Sequence, residues 1–170
     1  MIYIYNDYGG THTTSLAAAY HLKQLPQSER KLTTEEILNV KFFNKLTKDD
    51  FGKLIFHGVD EEGNSVYSIG RKRNKYVVPA LKEMSLLLQE KHQFDEKIVF
   101  SNTSPTVPFV MSMGGFFSRG LKIDMIGVPL LVKGAKRCCD NVFRLVENTK
   151  DIGRTTFAEN VIVLENEMYK

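Results

Sequence analysis

Residues 8–15 read YGGTHTTS and concentrate the groups best suited to hold an anion. Gly9 and Gly10 let a backbone approach a ligand closely, and Thr11, Thr13, Thr14 and Ser15 offer hydroxyl donors. A helix beginning inside this run aims its first-turn N–H groups, the positive end of its dipole, at the same place. Tyr8 borders the loop, and His12 within it is suited either to donate to phosphate or to move a proton near neutral pH. The run is not a Walker A motif, since no Lys precedes the Ser/Thr, and it is not GxGxxG. The plain alternative is a tight turn with Ser/Thr capping.

Two more polar segments follow hydrophobic runs. SNTSPT (101–106) brings Asn102, Thr103 and Ser104 to the end of KIVF, with a turn that caps the next helix as the alternative. VKGAKR (132–137) puts Lys133 at the start of the last long helix, where a lysine otherwise belongs to a solvated face. In the basic run RKRNK (71–75), Arg71 either forks onto phosphate or carboxylate or sits in a charged turn. His21 and His57 read as structural and His92 as exposed; His21 lies half a helical rotation from His12, so the two do not share a site. Carboxylates are scarce where a metal-dependent phosphotransferase would need one. Asp7 and Asp124 are the nearest, and Asp124 is expected at the wrong end of a strand. No Ser–His–Asp order, GxSxG elbow or metal-ligand set is visible, and no metal or cofactor is expected.

These residues need elements to position them. MIYIY gives a strand over residues 2–5, and the alanine-rich run 13–22 gives a helix. Thr33 with Glu36 is a capping-box spacing, and Thr47 with Asp50 marks a short turn. Residues 54–60 and 65–70 read as a β-hairpin around EEGN. Val77, Val78, Leu81, Met84, Leu87 and Leu88 recur at helical spacing, with Pro79 in the first turn. Strands are expected at 97–100, 124–132 and 161–164, and helices over 105–118 and from Ala135 to Val146. The order predicts an α/β fold: a single Rossmann-like, three-layer domain with a mainly parallel central sheet and a β-hairpin insertion at 54–70. The ligand-binding domain is expected to span 1–150, with 151–170 a C-terminal extension that adds an edge strand.

The bulk properties bound the reading. A chain of 170 residues with a formal charge of +3 buries a core without staples, and its charge is too mild to imply nucleic acid. Cys138 and Cys139 are adjacent and read as reduced thiols, one facing the core and one not. No apolar run reaches the length of a membrane span and the first residues lack a signal-peptide pattern, so a cytoplasmic protein is expected.

As a set, YGGTHTTS followed by AAAYHL, then GVDEEGNSVYSIGRK, VPALK, SNTSP, MSMGGFFSRGL and GVPLLVKGAK are specific. Through them the chain resembles an uncharacterised domain family of Gram-positive (Bacillota) bacteria and their phages. The resemblance implies no reaction; it makes Gly9, Gly10, His12, Arg119 and Lys133 the positions to test. The leading expectation is a protein that binds a phosphate-bearing small molecule, a nucleotide or nucleotide-derived signal, as a sensor or as a sponge that sequesters it. A phage would use the second role against a nucleotide-signalled defence. One alternative is a phosphohydrolase or phosphotransferase using His12. Another is a protein-interaction module presenting residues 107–117. Homo-oligomerisation is left open.

Overall fold

The strand Ile2–Asp7 (β1) is buried on both faces along almost its whole length and lies at the centre of the sheet. Successive side chains point to opposite faces, so Ile2, Ile4 and Asn6 look one way and Tyr3, Tyr5 and Asp7 the other. The computed structural model describes residues 1–28, 30–93 and 95–170. From β1 the chain enters helices Thr13–His21 (α1) and Thr34–Asn39 (α2), then the antiparallel pair Ile55–Val59 (β2) and Ser65–Gly70 (β3). Helix Val77–His92 (α3) leads to strand Ile98–Asn102 (β4). Helices Phe109–Gly115 (α4) and Asp124–Thr155 (α5) precede the strand Val161–Leu164 (β5). The five strands run β2-β3-β1-β4-β5, and every pairing except β2 with β3 is parallel.

Each face of the sheet has its own core. On one, Ile4, Ile69, Ile98, Phe100 and Val161 pack against Val78 of α3. On the other, Tyr5 and Val66 pack with Leu16 and the alanines of α1 and with Leu131, Val142 and Leu145 of α5. The path from β3 to β4 therefore crosses one face, and the path from β4 to β5 crosses the opposite face in the same lateral direction. Two such crossovers have opposite hands, so a Rossmann-like winding with every crossover right-handed is not followed throughout.

Both capping boxes form, Thr33 with Glu36 and Thr47 with Asp50. The expected strand over 124–132 does not: these residues are the first turns of α5, with Pro129 inside the helix. A buried stripe at Gly127, Leu131, Gly134, Ala135, Cys138, Val142, Leu145, Val146 and Thr149 has one helical period from end to end and decides the matter. Its glycines admit a neighbour: a Cβ on Gly127 would lie 2.5 Å from the Ser118 nitrogen, and one on Gly134 would lie 2.6 Å from Met111 Cβ. Lys133 is accordingly exposed in mid-helix rather than at a helix start. Asp124 opens the helix and does not begin a strand.

Both cysteines are buried, where one was expected to face outward. Burial pushes the Cys138 thiol up to about 12 and raises Cys139 as well, so neither is a reactive thiolate. The apolar positions of α3 are only partly used: Val78 is buried, whereas Met84, Leu87 and Leu88 are exposed. Residues 151–170 complete α5 and place β5 beside β4 at the sheet edge. Among the described residues no helix is long and apolar enough to cross a membrane.

Candidate functional site

The loop after β1 wraps around its own carboxylate. Asp7 is buried; one oxygen accepts the Gly10 N–H and the other accepts the Thr13 hydroxyl at 2.8 Å. Thr103, just past β4, lies 3.0 Å from the same Thr13 oxygen. The Arg71 and Lys72 N–H groups donate to the carbonyls of Asp7 and Tyr8, lacing the loop to the chain beyond β3. Gly10 has φ +70°, and a Cβ there would lie 2.5 Å from the Gly70 nitrogen. This glycine therefore serves the approach of β3 rather than of a ligand. Gly9 is half-buried, and a Cβ there would touch only Thr11 Cγ2, at 3.8 Å. Thr11 is occupied too: its hydroxyl donates to the Phe42 carbonyl at 2.7 Å, and its carbonyl accepts the Asn44 N–H.

That last bond presents Asn44, which becomes the hub of the site. Its φ of +54° is tolerable for Asn. Arg119 Nε donates to Asn44 Oδ1 at 2.7 Å, and His12 Nε2 lies 3.2 Å from that oxygen. The amide nitrogen of Asn44 donates to Ser118 Oγ at 2.9 Å, and Ser118 donates to the Asp124 carboxylate. Because a guanidinium only donates, Asn44 Oδ1 is fixed as the acceptor, and His12 must carry its proton on Nε2. His12 Nδ1 is left as a bare acceptor with no partner among the described residues, and the ring makes no capping bond to α1. The Nδ1–Cε1 edge faces Gly115, where a Cβ would lie 3.3 Å from Cε1. Burial lowers the His12 pKa below 6.5; the Asn44 bond and Asp7 oppose that, and Arg119 reinforces it. The ring is neutral at pH 7.

The first turn of α1 is short of acceptors. The N–H groups of Thr13, Thr14 and Ser15 meet none among the described residues. Thr14 Oγ1 and Ser15 Oγ are buried with no hydrogen-bond partner among the described residues. A buried hydroxyl left unpaired costs about 1–3 kcal/mol.

Arg71 and Asn102 lie apart from this cluster, toward the face that carries α3. Arg71 Nε donates to Asn6 Oδ1 at 2.9 Å, and Nη2 reaches Asn102 Oδ1 at 3.3 Å and Ser104 Oγ at 3.4 Å. Asn102 in turn donates to Glu165 at 2.9 Å. The residues expected to form one site thus divide. His12, Thr13, Thr14, Ser15, Thr103 and Arg119 gather around α1, and Arg71 with Asn102 forms a second cluster. Tyr8 is exposed at the loop tip, and Lys133 joins neither. Asn44 had no signal in the surrounding FFNK beyond being a residue that tolerates left-handed backbone.

The other histidines are structural. His21 is buried between the Tyr5 hydroxyl at 2.8 Å and the Asp60 carboxylate at 3.0 Å, and His57 lies 2.9 Å from Ser68 Oγ. His92 is exposed. A family model described as a protein of unknown function, DUF3189, matches residues 2–151. No curated protein and no solved structure matches the chain.

Proposed function

We propose that this chain, which belongs to the DUF3189 family, binds a phosphate-bearing small molecule at the first turn of α1, as a sensor or a sequestering protein. A nucleotide or nucleotide-derived signal is the ligand class we favour. The observation that carries the reading is a set of unspent donors beside a fixed cation. Among the described residues, three first-turn N–H groups and the Thr14 and Ser15 hydroxyls lack acceptors, while Asn44 pins Arg119 and His12 nearby. Side chains of a helix tilt toward its N-terminus, so those hydroxyls lean toward the N–H groups they would assist. A phosphate supplies the missing acceptors and the negative charge that the helix end and Arg119 favour. Thermal-shift screening against mono-, di- and cyclic nucleotides, with and without Mg²⁺, tests this. A ligand at 100 times its Kd adds about 2.7 kcal/mol of stability. No shift with any phosphorylated compound contradicts the reading.

A specific observation favours turnover as a second reading. A neutral imidazole with a bare Nδ1 and a held Nε2–H is equipped as a general base or a nucleophile toward phosphorus. Recovery of a bound nucleotide after denaturing the protein separates the two readings: intact ligand means binding, product means an enzyme. The protein-interaction alternative draws on Phe109 and Phe116, which are 79% and 57% exposed.

A further inference from the structure

We infer a second ligand site, distinct from the turn of α1, that takes a small organic phosphate bearing hydroxyl groups, in the class of a sugar phosphate. It is the cleft of about 400 Å³ between the carboxyl ends of β1, β3 and β5 and the first turns of α3. That volume lies within the range of small-molecule sites, and the carboxyl edge of a parallel sheet is where α/β ligands bind.

Arg71 anchors the site. Its guanidinium is held by the side-chain oxygens of Asn6, Asn102 and Ser104, all neutral. The cation is thereby oriented without being neutralised, and its Nη1 meets no acceptor among the described residues. Lys75 and Lys82 line the same cleft, and the nearest carboxylate to Lys82, on Glu159, lies 3.9 Å away at the edge of contact. Three cations lining the cleft suit a phosphate, which Arg71 would meet through Nη1 while the lysines add charge.

The carboxylates of the cleft decide the rest of the ligand. Glu165 lines the cleft and spends one oxygen on the Asn102 amide, leaving the other as an acceptor, and Glu83 adds a second carboxylate. A bare polyanion is repelled there, whereas a hydroxyl-bearing moiety donates to these oxygens. Val78, Pro79 and Val163 give an apolar floor against which the carbon face of a sugar ring packs. One anionic end and one hydroxylated end match the cations and the carboxylates that line the cleft.

Ribose 5-phosphate is the probe, titrated into ¹⁵N-labelled protein with inorganic phosphate and ribose as controls. Ribose 5-phosphate should shift the amides of residues 71–72, 77–78, 80–83 and 165–166. Inorganic phosphate should bind more weakly, and ribose should not bind measurably. Lys75→Gln with Lys82→Gln, both away from the core, should weaken binding about tenfold or more while leaving the spectrum folded. Arg71→Lys keeps the charge but loses the guanidinium that Asn6, Asn102 and Ser104 orient, and should weaken binding as well. The inference is overturned if these amides do not move at millimolar ribose 5-phosphate, or if the double variant binds as tightly as the wild type. Shifts confined to residues 9–15 also overturn it while leaving the α1 site standing.

Discussion

His12 and Arg119 direct their N–H groups at one oxygen, Asn44 Oδ1, from 3.2 and 2.7 Å. Two donors on one neutral acceptor fix the imidazole tautomer and leave the guanidinium charge in place. Long-range ¹H–¹⁵N correlation of the His12 ring at pH 7 should show a neutral ring protonated at Nε2. A neutral ring protonated at Nδ1 contradicts the geometry, and a charged ring contradicts the effect of burial.

Asn44→Asp keeps the side-chain shape and tolerates the same positive φ, but it places a negative charge against both Arg119 and His12. The His12 pKa should rise, and affinity for a phosphorylated ligand should fall about tenfold or more, the scale of losing one charge-assisted hydrogen bond. Calorimetry with the best ligand from the nucleotide screen checks the second effect, and ring ¹⁵N titration checks the first. Unchanged affinity would remove Arg119 from the site.

Ligand binding should be linked to proton uptake. The free His12 pKa lies below 6.5, chiefly through burial, and a phosphate near its bare Nδ1 favours the protonated ring. Affinity should therefore rise as pH falls from the bound pKa to the free pKa and level off on either side. Calorimetry in buffers of different ionisation enthalpy should report proton uptake near neutral pH; none at all contradicts the role given to His12.

Gly10 and Gly9 should part company on substitution. Gly10→Ala forces a Cβ to within 2.5 Å of the β3 backbone at a φ of +70°, so it should cost more than about 1 kcal/mol in urea unfolding. Gly9→Ala meets only a methyl at 3.8 Å and should stay within about 0.5 kcal/mol of wild type.

How far the sequence discloses this site follows from which interactions are local. Periodicity and turn chemistry suffice for β1, α1, the β2–β3 pair, α3 and β4, and Thr33 and Thr47 announce their caps three residues ahead. Residues 124–132 mislead because a short apolar run with Gly127 and Pro129 has no period of its own. Only the stripe continuing through Thr149 reveals the helix, and its glycines make sense only once α4 is packed against it. The polar loop after β1 is legible, but its own Asp7 filling part of it is not, because the Gly10 and Thr13 bonds depend on how the loop folds back. Asn44 and Ser118 meet across distant segments, which no spacing encodes.

Acid should destabilise the protein in a defined window. Burial lowers His21 and His57 from 6.5 to about 4 each, so the folded state prefers both rings neutral. That contribution is present above pH 6.5 and is lost as pH falls toward 4, at most about 3 kcal/mol per ring. Asp60 adds to it only at lower pH. Burial pushes this carboxyl up, but hydrogen bonds from Asn64, His21 and the Glu62 N–H outweigh that and hold it at about 2. Urea midpoints from pH 7 to 4 should fall steadily, and His57→Phe, which retains the ring against Phe42, should flatten the slope. An identical slope in that variant would show that His57 does not titrate on unfolding.

Isothermal titration of the nucleotide that gives the largest thermal shift, into wild type and Arg119→Gln, tests the site at α1 most directly. The account predicts saturable binding to wild type and about tenfold or greater weakening in Arg119→Gln, with the variant's circular dichroism unchanged. Equal affinity in the two proteins, or no phosphorylated nucleotide that binds wild type at all, would contradict it.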